Sequence, residues 1–193
     1  MPEVTNDARI SDAILLQRSR ERDHAAREEL FQRYRGEAYR VAFRLLGHEQ
    51  DALDAVQDAM LKAFSALDGF DGRSEFRTWL LRIVTNAALD EGRKRKRYSR
   101  NGTSVDQFEV EPAFREDPAN DLYQRDLRRI LDRALDCLTP TLRGTFVLFA
   151  ETGLSYKEIA EIQQVPIGTV MSRIHAARDK LQSTLDWNQI QGV

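Results

Sequence analysis

Leu154 to Leu185, LSYKEIAEIQQVPIGTVMSRIHAARDKLQSTL, reads as two helices joined by a sharp turn. Ser155 is placed to cap the first helix, with Glu158 three residues on as its capping-box partner. Ile159, Ala160 and Ile162 give that helix an apolar side. The turn falls around Gln164 and Val165, and Pro166 suits the opening of the next helix, where a missing N–H leaves no acceptor unpaired. Val170, Ile174, Ala177, Leu181 and Leu185 then recur at three- and four-residue steps, predicting one buried stripe. Thr169, Ser172, Arg173 and Ala176 fall on another face. Short helix, tight turn and longer amphipathic helix make the helix-turn-helix pattern, whose second helix enters a major groove and offers its polar face to base edges. An ordinary helical hairpin has the same periodicity, so the rest of the chain must discriminate.

Composition bounds the function. The chain has 193 residues, 41% hydrophobic and 31% charged, enough for one or two modest helical domains. A net charge of -2 provides no global attraction to nucleic acid. Any such contact must be local or helped by a partner. The single cysteine, Cys137, lies among Ala134, Leu135 and Leu138 and is expected to be a core thiol. No apolar run is long enough to cross a bilayer, and the opening MPEVTNDARISD lacks a signal peptide's basic and apolar regions. A cytoplasmic protein without direct membrane insertion is expected. His24, His48 and His175 are isolated and expected at the surface. With no nucleophile-base pair, zinc spacing or phosphate loop, no enzyme, metal or cofactor is expected.

The N-terminal half is predicted to be helical. Ser11 caps a short helix burying Ile14 and Leu15, and Asp23 starts a longer one striped by Leu30, Tyr34, Ala38, Val41 and Leu45, stopped by Gly47. A third helix runs from about Glu49 to Leu67, with Ala52, Val56, Ala59, Ala63 and Leu67 inward. Asp51, Asp54 and Asp58 form an acidic line that solvation alone would explain. GFDGRSEF, Gly69 to Phe76, is a glycine-marked loop. Ser74 is expected to cap the following helix, striped by Phe76, Leu80, Ile83 and Ala87 with Trp79 as an anchor. That helix ends in Arg93-Lys94-Arg95-Lys96-Arg97, a basic end suited both to the helix dipole and to phosphate.

From Ser99 to Pro118 helical period fades, a flexible linker is expected, and a short strand at Val105 to Val110 is only weakly indicated. Helices resume near Asp121, with Leu127, Leu131, Leu135 and Leu138 in one stripe. Thr139-Pro140 then opens a helix whose Leu142, Phe146 and Phe149 or Ala150 face inward before Gly153 ends it. The fold class is therefore all-α, with two small domains, residues 1–98 and 121–193, joined by a linker at 99–120. Four helices make up the second.

The words within these helices are more specific than their periods. Ser155-Tyr156-x-Glu158-Ile159-Ala160 and Pro166-x-Gly168-Thr169-Val170-x-Ser172-Arg173 closely resemble the promoter-reading domain of bacterial extracytoplasmic-function sigma factors. DALDAVQDAMLKAF, Asp51 to Phe64, resembles that family's polymerase-binding helix, and FRTWLLRIVTNAALDEGRKRKR, Phe76 to Arg97, its −10 promoter-melting segment. Trp79, Asn86, Asp90 and Arg93 match its shared positions. The resemblance covers both halves in the family's order.

It implies contacts to core RNA polymerase through Asp51, Asp54, Gln57, Asp58 and Leu61. It implies −10 DNA contacts through Gly69, Phe70, Asp71, Gly72, Arg73, Ser74, Asn86, Asp90, Arg93, Lys94, Arg95, Lys96 and Arg97. The −35 contacts would come from Lys157, Gly168, Thr169, Met171, Ser172, Arg173, His175, Ala176 and Arg178. Core polymerase, promoter DNA and, because members are often held inactive by one, an anti-sigma factor are the implied partners. Met171 and Ala176 depart from the basic residues common at those sites, and Gln164 from a frequent glycine. The competing function is a conventional helix-turn-helix regulator acting without core polymerase. Such a regulator needs a sensor or dimerisation domain in the first half, where a polymerase-binding helix and a melting segment stand instead.

Overall fold

A computed structural model describes residues 10–100 and 130–184. Within these residues the regular structure is helical, with no strand. The helices are α1 (Asp12–Arg20), α2 (His24–Leu46), α3 (Glu49–Ala66), α4 (Phe76–Arg100), α5 (residues 130–136), α6 (Pro140–Thr152), α7 (Tyr156–Gln163) and α8 (Ile167–Thr184), with a single 3-10 turn at Leu67–Gly69. The weak strand at 105–110, most of the linker and the helix start near Asp121 lie outside the described residues. Helix α4 itself continues to Arg100.

The helix ends follow from local chemistry. The Ser11 hydroxyl accepts from the Ile14 N–H and the Asp23 carboxylate from the Ala26 N–H, each satisfying a donor that the first turn leaves unpaired. Gly47 ends α2 at φ 68°, a left-handed conformation that costs glycine nothing. Thr139 caps α6, with Pro140 in its first turn. Two expected starts shift by a residue. Helix α4 begins at Phe76, with the Trp79 N–H bonded to the Glu75 carbonyl at 3.0 Å, so Ser74 lies one residue before the cap. The Pro166 carbonyl accepts from Thr169 at 2.9 Å, which puts Pro166 at the cap of α8 rather than inside it.

The core is continuous across the chain. Leu30, Ala38, Val41 and Ala42 of α2 are buried, as are Ala52, Val56, Ala59 and Ala63 of α3 and Leu80, Leu81, Val84 and Ala88 of α4. The alanines let these helix backbones approach closely. Phe70, Phe76 and Trp79 form an aromatic cluster with centroids 5.1–6.0 Å apart. Two expected burials fail. Leu15 is buried but Ile14 is 51% exposed, because α1 is only nine residues long and turns one face to α2. Cys137 is exposed, since the helix ends at 136 and in the turn that follows Leu138, not Cys137, is the residue that enters the core. In α6 Leu142, Phe146 and Phe149 pack half-buried against the core and Ala150 is exposed, while the fully buried face is Gly144, Thr145, Val147 and Leu148. That face must serve α2 on one side and α8 on the other.

Helix α6 meets α2 through ions as well as apolar groups. Arg44 of α2 donates to Asp132 at 2.5 Å and Glu151 at 2.8 Å. Arg143 of α6 donates to the Arg44 carbonyl at 2.7 Å. Arg77 of α4 spans Glu37 of α2, at 3.0 Å, and the Thr152 carbonyl, at 2.5 Å. Leu45 lies beside Gly144. Arg44→Ala would leave two half-buried carboxylates without their shared cation. Denaturant unfolding is expected to show a loss of about 2 kcal/mol, and unchanged stability would contradict this role.

Candidate nucleic-acid interface

The helix-turn-helix is built as its sequence implies. The Ser155 hydroxyl accepts from the Glu158 N–H at 3.3 Å, and the Glu158 carboxylate accepts from the Ser155 N–H at 2.8 Å. The Ser155 hydroxyl also donates to the Glu158 carboxylate at 2.6 Å, and this bond, helped by that from the Ser155 N–H, holds the carboxyl below its usual pKa against a smaller opposing effect of burial. Gln164 ends α7 in the left-handed region at φ 54°, and the Val165 N–H returns to the Ala160 carbonyl at 3.1 Å. Val170, Ile174, Ala177 and Leu181 of α8 are buried as expected. The opposite face, with Gly168, Met171, Ser172, His175 and Ala176, is exposed, while Thr169 is half-buried. Lys157 of α7 is also exposed.

Two arginines on α8 are held by protein groups. The Gln163 side-chain oxygen accepts from both the Thr145 hydroxyl, at 2.9 Å, and Arg173, at 3.0 Å. Arg173 thus sits at the flank of α8. The Arg178 guanidinium lies over the Phe149 ring at 5.0 Å, a cation–π contact that fixes its direction. His175 lies 3.4 Å from Asp179.

In the loop before α4, Phe70 is buried against Phe76 and Trp79, and its carbonyl accepts from Arg20 at 2.7 Å. Phe70 therefore anchors the loop instead of facing solvent. The tip is exposed at Asp71, Gly72 and Arg73, with Ser74 half-buried. Asp71 accepts from the Arg73 N–H at 3.1 Å and pairs with its guanidinium at 2.9 Å. Gly72 supplies the left-handed residue of this turn at φ 73°.

On α4, Asn86 and Asp90 are exposed. An open groove between α3 and α4 is lined by Asp58, Lys62, Ala87, Asp90, Arg93, Lys94 and Arg97. Arg93 pairs with Asp90 at 3.1 Å and Lys94 with Glu91 at 2.8 Å, and the Glu91 contact raises the Lys94 pKa. Arg95 turns instead to Asp51 of α3, at 2.8 Å. The helix end is thus less positive than its run of five basic residues suggests.

The acidic line divides accordingly. Asp54 and Asp58 are exposed, whereas Asp51 is bound to Arg95 and its N–H is accepted by His48 Nδ1 at 3.4 Å. His48 is therefore the cap of α3 and not an isolated surface residue. Gln57 and Leu61 are exposed beside Asp54 and Asp58. Leu53 and Phe64 join them, so α3 presents three large apolar side chains, led by Leu61 at 61% exposure. Leu53 and Phe64 were legible as apolar residues outside the alanine-rich inward stripe.

The molecule thus presents a helix-turn-helix with an exposed outward face, an anchored loop, a groove with basic rims and an apolar-acidic helix face. Residues 30–98 match the family model for Sigma-70 region 2, and residues 128–181 that for Sigma-70, region 4. Over 180 residues the chain is 35% identical to the ECF RNA polymerase sigma-E factor of Escherichia coli K12, covering 90% of this chain and 94% of that protein. The solved structure of CnrH in complex with the cytosolic domain of CnrY is similar, with TM-score 0.67 and 31% identity over 91% of this chain and 97% of that one. So is the sigma factor RpoE of Bartonella quintana, solved with the anti-sigma factor NepR, with TM-score 0.67 and 28% identity over 81% of this chain and 94% of that one. The chain belongs to the extracytoplasmic-function sigma factors of the sigma-70 family, and as a sigma factor it directs RNA polymerase to promoters.

Two measurements check the local assignments. Asp51→Asn is expected to lower stability by about 1 kcal/mol through loss of the Arg95 pair, whereas Asp54→Asn leaves it unchanged in denaturant unfolding. Equal effects would contradict the division of the acidic line. Glu158 has a folded pKa below its unfolded value, so its contribution is present above the unfolded pKa and is lost as pH falls through the folded one. Glu158→Gln should therefore flatten the acid limb of the thermal stability profile below the ordinary carboxylate range. An unaltered acid limb would rule out this coupling.

Proposed function

We propose that the chain divides promoter recognition between its two halves, residues 1–98 and 121–193, with 99–120 as the connection. Asp54, Gln57, Asp58 and Leu61, joined by Leu53 and Phe64, form the face that docks on core polymerase; Asp51 supports this face through Arg95. Helix α8 and Lys157 meet the −35 element. The loop from Gly69 to Ser74 and the outer residues of α4 meet the −10 element, where the loop receives a base leaving the duplex. An extruded base requires a few kcal/mol of unstacking, so a receiving loop must be held in place before the base arrives. The carrying observation is this loop's construction: Phe70 and Phe76 bury its two ends while Asp71 to Arg73 stay exposed.

The same division gives an anti-sigma factor two surfaces to cover, and the two similar structures, each a complex, support such a partner for this chain in the cytoplasm. No described helix is long and apolar enough to cross a membrane. A conventional regulator would need none of the α3 face or the loop.

Deleting Gly72 and Arg73 keeps both aromatic anchors and shortens only the tip. Core binding is expected to persist while permanganate reactivity at the −10 region and transcription from normal duplex fall at least tenfold. A template already mismatched at −10 should recover much of the transcription. Normal opening by the shortened protein would reject the loop's role, and loss of core binding would reject the separation of roles.

A further inference from the structure

Helix α8 carries an outward chemistry unlike that of a reader of guanine or adenine. Arg, Lys, Asn and Gln make the bidentate contacts that recognise those bases in the major groove. From Ile167 to Ala177 the only such residue is Arg173, and its guanidinium is bonded to Gln163 at the helix flank. Apolar side chains take its place. Ile167 is 50% exposed and Met171, one turn later, 53% exposed. Both lie in the first turns, the part of a recognition helix that approaches base edges.

Among the other described residues, large exposed side chains of this kind occur on α3, the face assigned to polymerase, and at Ile14 of α1. In a major groove the apolar feature they can meet is the thymine C5-methyl, which no other base carries. Basic groups close by suit this occupant: Arg178 is held over Phe149 on the same helix, and Lys157 is exposed on α7. They supply phosphate contacts that position without specifying.

We propose that Ile167 and Met171 read thymine methyl groups in the upstream promoter element, so that this factor's −35 specificity rests on van der Waals contact in addition to hydrogen bonds. The inference deepens the −35 role given to α8 above and rests on it. Met is suited to the task because its unbranched, polarisable chain conforms to the groove. Ser172 and His175 on the same exposed face leave hydrogen-bonding capacity for neighbouring bases.

The test uses holoenzyme formed from core polymerase and the full chain, and the promoter from which it initiates most strongly in a random library. Each upstream thymine is replaced in turn by deoxyuridine, which removes the methyl and keeps every hydrogen-bonding group. Wild-type holoenzyme should bind about fourfold more weakly at one or more of these positions, the equivalent of about 0.8 kcal/mol for one buried methyl. Ile167→Ala/Met171→Ala, whose sites are exposed and whose fold is checked by thermal melting, should bind thymine and deoxyuridine duplexes alike. Wild-type indifference to every replacement, or a selected element without thymine, overturns the proposal. So does an undiminished methyl preference in the double variant. Weakened binding of that variant to core polymerase without DNA would assign the pair to a protein contact and overturn it too. Failure of the wild-type holoenzyme to initiate anywhere would instead sink the promoter-reading role of the chain, and the methyl reading with it.

Discussion

Helix α2 imposes the constraint on which the rest of the structure depends. Its 23 residues extend about 35 Å, and its buried side chains fall on more than one side. Helices α1, α3 and α4 cover it along the first half of the chain, and α6 covers it from the second. Small residues at Ala38 and Ala42 let the neighbours approach. Its final turn offers Leu45 to Gly144 and Arg44 to two carboxylates. Burying this helix therefore gathers the chain's halves around one axis while leaving the outer faces of α3 and α8 uncovered.

The outer face of α8 depends in turn on a strained turn. Gln164 adopts a left-handed conformation that costs a non-glycine residue about 1–2 kcal/mol. The capping box at Ser155, the Val165 bond to Ala160 and the Thr145–Gln163–Arg173 chain offset that strain. The first two are local to the ends of α7, and the third ties α7 to α6 and α8. The angle between the two helices is thus fixed by hydrogen bonds as well as by Val170 and Ile174 in the core.

Much of this was legible in the sequence because it is local. The capping residues Ser11, Asp23, Thr139 and Ser155, the glycines at 47 and 153, and the inward stripes of α3 and α8 all depend on neighbours within a turn or two. Other features required tertiary partners. Asp51 is indistinguishable from Asp54 by helical period, and only the passage of Arg95 across from α4 separates them. Phe70 reads as a loop residue until Phe76 and Trp79 are seen to enclose it. The Cys137 flanks look apolar, yet the helix ends just before it. Helix α6 must satisfy two neighbours, so its stripe of Leu142, Phe146 and Phe149 is half-buried while Gly144, Thr145, Val147 and Leu148 beside it are fully buried. The candidate DNA-contact residues came from motif words, while the engagement of Arg173 and Arg178 by protein groups had no signal in the sequence.

The proposed division of tasks follows physical type. Apolar and acidic side chains on α3 suit a protein surface, an anchored loop suits a displaced base, and a capped helix suits a duplex groove. The net charge of -2 makes unaided DNA attraction weak, which fits a chain that reaches promoters with polymerase. Transcript-start mapping with reconstituted core polymerase on a genomic library tests this account most directly. It predicts starts, absent with core alone, that share an upstream and a −10 element at fixed spacing. Starts scattered as with core alone, or DNA sites bound equally well without core polymerase, would contradict it.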